Sequence, residues 1–299
     1  MKFNTFIKKW IIPPGFIELG RSAQNAKSNT QSELGHVETS YLYPFKNEYK
    51  NGRCFILATG PSIQNQDLTI LEGQYCIAVS MFHLHGAIRQ IKPIWHVLAA
   101  THPPFKYELP QKFFSTARTA YKDFTEMKFL LGSITYQYSY YNYLTTQDNT
   151  FFTEFENRVH FVNFDNSPKL SEKNFMDENV WDLEATPFKS RTVIYSAIQL
   201  AYYLGFKEIV LVGCDHDYLT DINRVENHHF YEESKGVSDK DHLSGFDKEK
   251  WFFEYYCRWR DYRLMKEFLG SKGVKIINAT DGGMLDVFER RELKSLINV

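Results

Sequence analysis

Apolar positions along the chain fall into two kinds of pattern. Short unbroken runs, Arg53-Cys-Phe-Ile-Leu-Ala58, Tyr75-Cys-Ile-Ala-Val79 and Ile94-Trp-His-Val-Leu-Ala-Ala100, are of the kind that fills a parallel sheet buried on both faces. Each is separated from the last by a stretch long enough for a helix, which is βαβ spacing. Further strands are expected at Lys128-Phe-Leu-Leu131, Val159-His-Phe-Val162 and Val274-Lys-Ile-Ile277. The second pattern is helical. Val193, Ile194, Ala197, Ile198, Ala201 and Leu204 recur in steps of three and four, giving one apolar face, and Gly205 stops the helix. Glu208-Ile-Val-Leu-Val212 then predicts a buried strand running into Gly213-Cys-Asp215, and a last helix is expected over about Arg258 to Leu269. Together these elements predict an α/β fold, a Rossmann-like and mostly parallel sheet flanked by helices.

The stretch from Pro103 to about Asn157 breaks both patterns. It is rich in tyrosine, including Tyr136, Tyr138, Tyr140, Tyr141 and Tyr143, and so long a connection in a compact domain reads as a lid or binding loop, placed over about 132–158. Organisation follows as an N-terminal segment, 1–50, and one nucleotide-binding domain, 51–299. Met1 to Phe16 carries Lys2, Lys8 and Lys9 among Phe3, Phe6, Ile7, Trp10, Ile11 and Ile12 before Pro13-Pro14. That segment reads equally as a short interfacial anchor or as a piece of chain packing on its own domain. Ser22 to Leu34 is polar and aperiodic, a surface loop.

Composition narrows the class. With 43% hydrophobic residues in 299, the chain can bury a sizeable core. A net charge of −1 and a pI near 6.8 give no overall field that would gather nucleic acid or an acidic membrane, so any bound anion needs a local site. No run of about 18 apolar residues occurs. Cys54, Cys76, Cys214 and Cys257 are scattered through apolar patterns and read as reduced, buried thiols of a cytoplasmic protein. An interfacial N-terminus would place it peripherally on the inner face of the membrane, and the aromatic C-terminal third could supply a homo-oligomer interface.

Ligands of open parallel sheets bind beyond the carboxyl ends of the strands. Three polar segments occupy that position. Thr59-Gly60-Pro61-Ser62 follows the first strand; Gly60 would let backbone approach a phosphate or ribose, although Gly-Pro-Ser is also a common turn. Ser190-Arg191-Thr192 opens the strongest helix, where free amides make an anion site or Thr192 serves as a plain N-cap. Ser80, directly after the second strand, joins the same nucleotide-binding set. The third segment, Gly213-Cys-Asp-His-Asp-Tyr218, is followed by Asn227-His-His-Phe-Tyr231 and His242. Asp215 and Asp217 could hold a divalent cation. Alternatively a histidine acts as general base and a tyrosine holds a leaving phosphate. Asp215 could also merely cap a loop.

These residues carry a resemblance. Phe55-Ile-Leu-Ala-Thr-Gly-Pro-Ser62, Ser190-Arg-Thr-Val193 and Leu204 through Asp215 resemble the bacterial lipooligosaccharide sialyltransferases. They are equally similar to the broader group of motility accessory factors and pterin pyrophosphokinase-like proteins of surface-polysaccharide clusters. The latter share Asp215-His-Asp-Tyr218, His229-Phe-Tyr231, Asn278-Ala-Thr-Asp-Gly-Gly283 and Leu285-Asp-Val-Phe288. The likeness runs from about residue 53 to 292, matched through the middle by order of elements alone.

The resemblance implies a single-Rossmann glycosyltransferase domain with a lid, using a CMP-linked acidic sugar without a metal and passing it to a glycan or lipid-linked acceptor. Gly60, Ser62 and Thr192 would touch the nucleotide, and Tyr218 or Tyr231 the departing phosphate. Two departures stand out: Thr59 replaces an asparagine, and Asp239-Lys-Asp-His-Leu-Ser-Gly-Phe246 keeps His242 but places Phe246 where the sialyltransferases carry their catalytic histidine. The base is then His242 or one of His228 and His229, with His229 preferred for its match to the His-Phe pattern. Asp215 completes the candidate catalytic set. Tyr136 to Tyr143, Trp251 and Trp259 would offer stacking faces to sugars, or belong to the core. The alternatives are a magnesium-dependent pyrophosphokinase with Asp215 and Asp217 on the metal, and a nucleotide-binding scaffold whose Phe246 marks lost catalysis.

Overall fold

The computed structural model describes residues 42–103, 105–133, 136–164, 167–220, 228–232 and 247–297. The basic N-terminal segment, the 22–34 loop, His242 and Phe246 lie outside the described residues. Among those described, eight strands form one sheet: β1 (Arg53–Leu57), β2 (Cys76–Val79), β3 (Trp95–Leu98), β4 (Lys128–Ser133), β5 (Val159–Asn163), β6 (Glu208–Val212), β7 (Lys275–Asn278) and β8 (Glu289–Arg290). Every neighbouring pair is parallel. Six α-helices accompany them: α1 (Ile88–Ile91), α2 (Glu108–Tyr121), α3 (Tyr140–Thr146), α4 (Asn149–Phe155), α5 (Val193–Tyr203) and α6 (Lys248–Ser271).

Successive strand residues point to opposite faces, so each apolar run feeds two cores. Cys54, Ile56, Ile77 and Val79 pack beneath α5 and α6 with Ile194, Ala197, Tyr262 and Phe268. Phe55, Leu57, Cys76 and Ala78 belong to the opposite core with Phe113, Ala117 and Tyr121 of α2 and with Phe151 and Phe155 of α4. All four cysteines are buried and unpaired with one another. Among the described residues no helix is long and apolar enough to cross a membrane.

The order across the sheet is β5-β4-β3-β2-β1-β6-β7-β8. The chain therefore starts at the centre, builds outward to β5, and returns over the sheet to lay β6 along the free edge of β1. Leu57 pairs with both Ala78 and Val212, so β1 and β6 end level with one another and β2 runs one residue further. Chain connections diverge between β1 and β6, and a crevice opens at their carboxyl ends.

One boundary moves, and the tyrosine-rich stretch contains helices. The final helix begins at Lys248, well before Arg258, because Asp247 caps it by accepting a hydrogen bond from the Lys250 amide at 2.8 Å. Exposed Phe252, Phe253 and Tyr256 in its first turns hide the periodicity of the buried face. The stretch 132–158 carries α3 and α4, with Tyr140 and Tyr143 buried against Phe114.

Candidate functional site

After β1 the chain passes through Thr59 and Gly60 into a short 3-10 turn, Pro61–Asn65. Asp215, three residues beyond β6, reaches across to that turn. Its carboxylate accepts hydrogen bonds from the Ser62 amide at 3.3 Å and the Ser62 hydroxyl at 2.9 Å, with only 5% of the residue exposed. Burial pushes the Asp215 carboxyl above its ordinary value, opposed by the hydrogen bonds from Ser62. A Cβ on residue 60 would stand 1.7 Å from Asp215 Oδ2 and 2.6 Å from the Gly213 carbonyl. Glycine is thus required at 60 by the approach of Asp215, a reason different from the phosphate or ribose contact expected from sequence.

The Asn278–Gly283 segment clasps Asp215 from the other side. Met284 donates its amide to the Asp215 carbonyl at 2.7 Å, and a Cβ on Gly283, at φ +71°, would lie 2.6 Å from Asp215 Cα. Cys214 donates its amide to Thr280 Oγ1 at 2.9 Å, and the Thr280 amide donates to Asn278 Oδ1 at 3.0 Å. Three motifs far apart in sequence are joined here, with Asp215 at the centre.

Two non-glycine residues adopt left-handed backbone at the strand ends, Ser80 after β2 and His216 after β6, each at φ 49°. Each is tied to a buried ring. His96 donates from Nε2 to the Ser80 carbonyl at 2.7 Å, which leaves Nδ1 to accept from the Tyr121 hydroxyl at 2.6 Å. His216 Nε2 lies 2.7 Å from the Tyr262 hydroxyl. Burial lowers His96 to about 4 and, with Arg258 nearby, His216 to about 3, so both rings are neutral near pH 7.

A cavity of about 680 Å³ opens over these strand ends, within the usual span of small-molecule sites. Thr59, Gly60 and Ser80 line its floor, Arg191 and Thr192 enter at the start of α5, and Asp215 and Tyr218 follow β6. His229 and Tyr231 come from the 228–232 segment. Pro61 and Ser62 stand in the turn behind Gly60. The 228–232 segment is held to the end of β1: Phe230 donates its amide to the Thr59 carbonyl at 3.0 Å, and Gln64 donates to the Phe230 carbonyl at 2.9 Å. His229 Nδ1 lies 3.0 Å from Thr59 Oγ1, and its ring stacks on Tyr231 at 5.0 Å.

The charged candidates are largely engaged. Arg191 pairs with Glu254 at 2.6 Å and Asp261 at 2.9 Å. Asp217 lies 3.5 Å from His228 Nδ1, and that hydrogen bond holds its carboxyl below the ordinary value. Thr192 is the N-cap of α5 but makes no side-chain capping bond, so its hydroxyl is not committed to the helix. Among the described residues no group of three or more His, Cys, Asp or Glu side chains is arranged to hold a metal ion.

Sequence reasoning missed Tyr255 and Arg258, which line the same cavity from α6 beside Trp251, a residue it named as a stacking face. Their spacing with Tyr262, steps of four and three, is the buried stripe of a helix begun at Lys248, and an arginine within that stripe was the available signal. Arg258 Nε and Nη1 are buried with no hydrogen-bond partner among the described residues. Its guanidinium lies 5.7 Å from the Tyr218 ring centre and 5.2 Å from that of Tyr255. Trp259 instead donates Nε1 to Asp286 at 2.8 Å.

No protein-family model and no curated protein matches this chain. Among solved structures it is similar to the sialyltransferase CstII from Campylobacter jejuni in complex with cytidine-5'-monophosphate, at 13% identity over 81% of this chain and 85% of that one, with a TM-score of 0.44. A CstII complex with a trisaccharide acceptor and CMP gives 14% identity over 80% and 85%, with a TM-score of 0.42. A GDP-L-fucose synthetase from Naegleria fowleri bound to NADP gives 12% over 89% and 90%, with a TM-score of 0.22.

Proposed function

We propose that the chain is an inverting glycosyltransferase that moves a sialic acid-like or related sugar from a CMP-activated donor to a glycan or lipid-linked acceptor, in the assembly of bacterial surface polysaccharide. The observation that carries this reading is the placement of His229 on Thr59, inside a cavity at the β1/β6 reversal that also receives the N-terminus of α5. Strand-end crevices of this kind suit nucleotides, and helix N-termini suit their phosphates.

In this account Thr59, Gly60, Ser80 and Thr192 bind the nucleotide, while Ser62 and Asp215 hold the Gly60 turn in place. With Nδ1 donating to Thr59 Oγ1, the imidazole of His229 presents Nε2 as the base. It takes the proton of the acceptor hydroxyl as that oxygen attacks the anomeric carbon, on the face opposite the nucleotide. The bond from that carbon to the phosphate oxygen breaks, and CMP leaves with the electron pair. Tyr218 and Tyr231 donate to the departing phosphate. The magnesium-dependent reading is disfavoured by the commitment of Asp215 to Ser62 and of Asp217 to His228.

Thermal-shift measurements with CMP, CDP, UDP and ATP, each with magnesium or EDTA, test the donor class, because a ligand of the native state raises its apparent stability. Stabilisation by CMP in EDTA is the expected result. A response confined to ATP with magnesium would support pyrophosphoryl transfer and overturn the proposal.

A further inference from the structure

A buried guanidinium normally has a carboxylate, because an unpaired charge removed from water is costly. Arg258 does not. The carboxylates that line the cavity are engaged elsewhere, Glu254 with Arg191, Asp217 with His228 and Asp215 with Ser62, and Asp261 of the same helix also pairs with Arg191. Arg260 takes the second oxygen of Asp261 at 2.6 Å. What Arg258 has instead is the faces of Tyr218 and Tyr255, which favour a cation but leave its Nε and Nη1 hydrogens unmet among the described residues. The side chain lines the cavity, on an α6 turn fixed by a hydrogen bond from the Tyr195 hydroxyl to the Arg258 carbonyl at 2.9 Å. The neighbouring ring, His216, is engaged through Nε2 with Tyr262, and no acceptor for Arg258 Nε or Nη1 is found among the described residues.

We infer that Arg258 is the anion-recognising residue of the cavity, and that its partner is an oxyanion of the ligand, the donor phosphate or a carboxylate on the donor sugar. This rests on the donor-binding reading above and adds a buried positive charge to a cavity whose other lining cations are the exposed Lys169 and Lys189 and the carboxylate-paired Arg191. A guanidinium fork offers parallel N–H groups to either oxyanion, and it remains charged at any working pH.

The test is binding of cytidine, CMP and a CMP-linked sialic acid, with inorganic phosphate, pyrophosphate, AMP and UMP as further anions, to the wild type and to R258M and R258K. Because Arg258 has no carboxylate among the described residues to orphan, ligand-free R258M is expected to melt at or above the wild-type temperature. If the phosphate is the partner, R258M loses on the order of 10- to 100-fold in CMP affinity while cytidine is unaffected. If the sugar carboxylate is the partner, CMP binds R258M as it binds wild type and the loss of similar size appears with CMP-sialic acid. R258K, which keeps the charge without the fork, should fall between wild type and R258M for the sensitive ligand, and it carries the test should R258M fail to fold. Wild-type affinity of R258M for every anion overturns the inference and leaves the donor reading standing. A wild type that ignores cytidine compounds but binds another of these anions through Arg258 does the reverse. A wild type that binds none of the anions overturns both.

Discussion

The β1/β6 junction and the flank built from β3 to β5 with α2 to α4 both bury aromatic and polar side chains, but they hold them for different ends. On the flank, rings meet rings: Phe151 stacks on Phe155 at 4.4 Å, and Phe114 stacks on Tyr143 at 5.8 Å. The tyrosines there pack mainly against other rings, although Tyr140 also lines the cavity. At the junction each buried polar group has a named partner, Asp215 with Ser62 and His216 with Tyr262, and these ties fix backbone around an open cavity. Arg258 is the exception, and it faces that cavity. Aromatic density on the flank therefore marks packing, whereas single polar residues at the strand ends mark the mouth of the cavity.

The contrast can be broken by separating stability from binding. Phe151→Ala on the flank should destabilise the protein by about 3–5 kcal/mol in denaturant unfolding, since it empties a fully buried ring site, yet leave CMP affinity unchanged. A matching loss of affinity would mean that the flank belongs to the site. Gly60→Ala forces a methyl against Asp215 and should cost about 1–3 kcal/mol, but with the CMP-induced thermal shift abolished. Retention of that shift would detach the Gly60 turn from ligand binding.

A smaller effect appears in pH dependence. Burial lowers His160 on the flank to about 4 and His216 at the junction to about 3, both below the ordinary 6.5. Between pH 6.5 and 4 the unfolded chain binds the extra protons, so this stability is full above pH 6.5 and is lost as pH falls. The slope is at most roughly 1.4 kcal/mol per pH unit for each ring. His160→Asn should flatten the curve and spare CMP binding, while His216→Asn should flatten it and weaken binding. Equal effects of the two variants on binding would erase the distinction.

Most of the sheet was legible in the sequence because parallel strands buried on both faces must be continuous apolar runs, as Ile209–Val212 is. The three polar segments were legible for a related reason: they interrupt those runs at the strand ends. Less visible was what each residue does there. Gly60 answers to Asp215, a contact spanning 155 positions that no local pattern records. Arg191, chosen for its place at a helix N-terminus, is neutralised by two carboxylates of α6. Arg258 was hidden because exposed Phe252, Phe253 and Tyr256 blurred the helical period around it. Long-range pairing, rather than local propensity, decides which charge is neutralised and which is left without a carboxylate among the described residues.

The central claim is that this junction binds a cytidine nucleotide donor and that His229 removes the acceptor proton without a metal. Its most direct test is release of CMP from a CMP-linked sialic acid in EDTA, with a glycan acceptor, by the wild type and His229→Ala. The account predicts turnover by the wild type, a loss of about 100- to 10,000-fold in the variant, and CMP affinity unchanged between them. Turnover by His229→Ala at the wild-type rate, or none by the wild type until magnesium is restored, would contradict it.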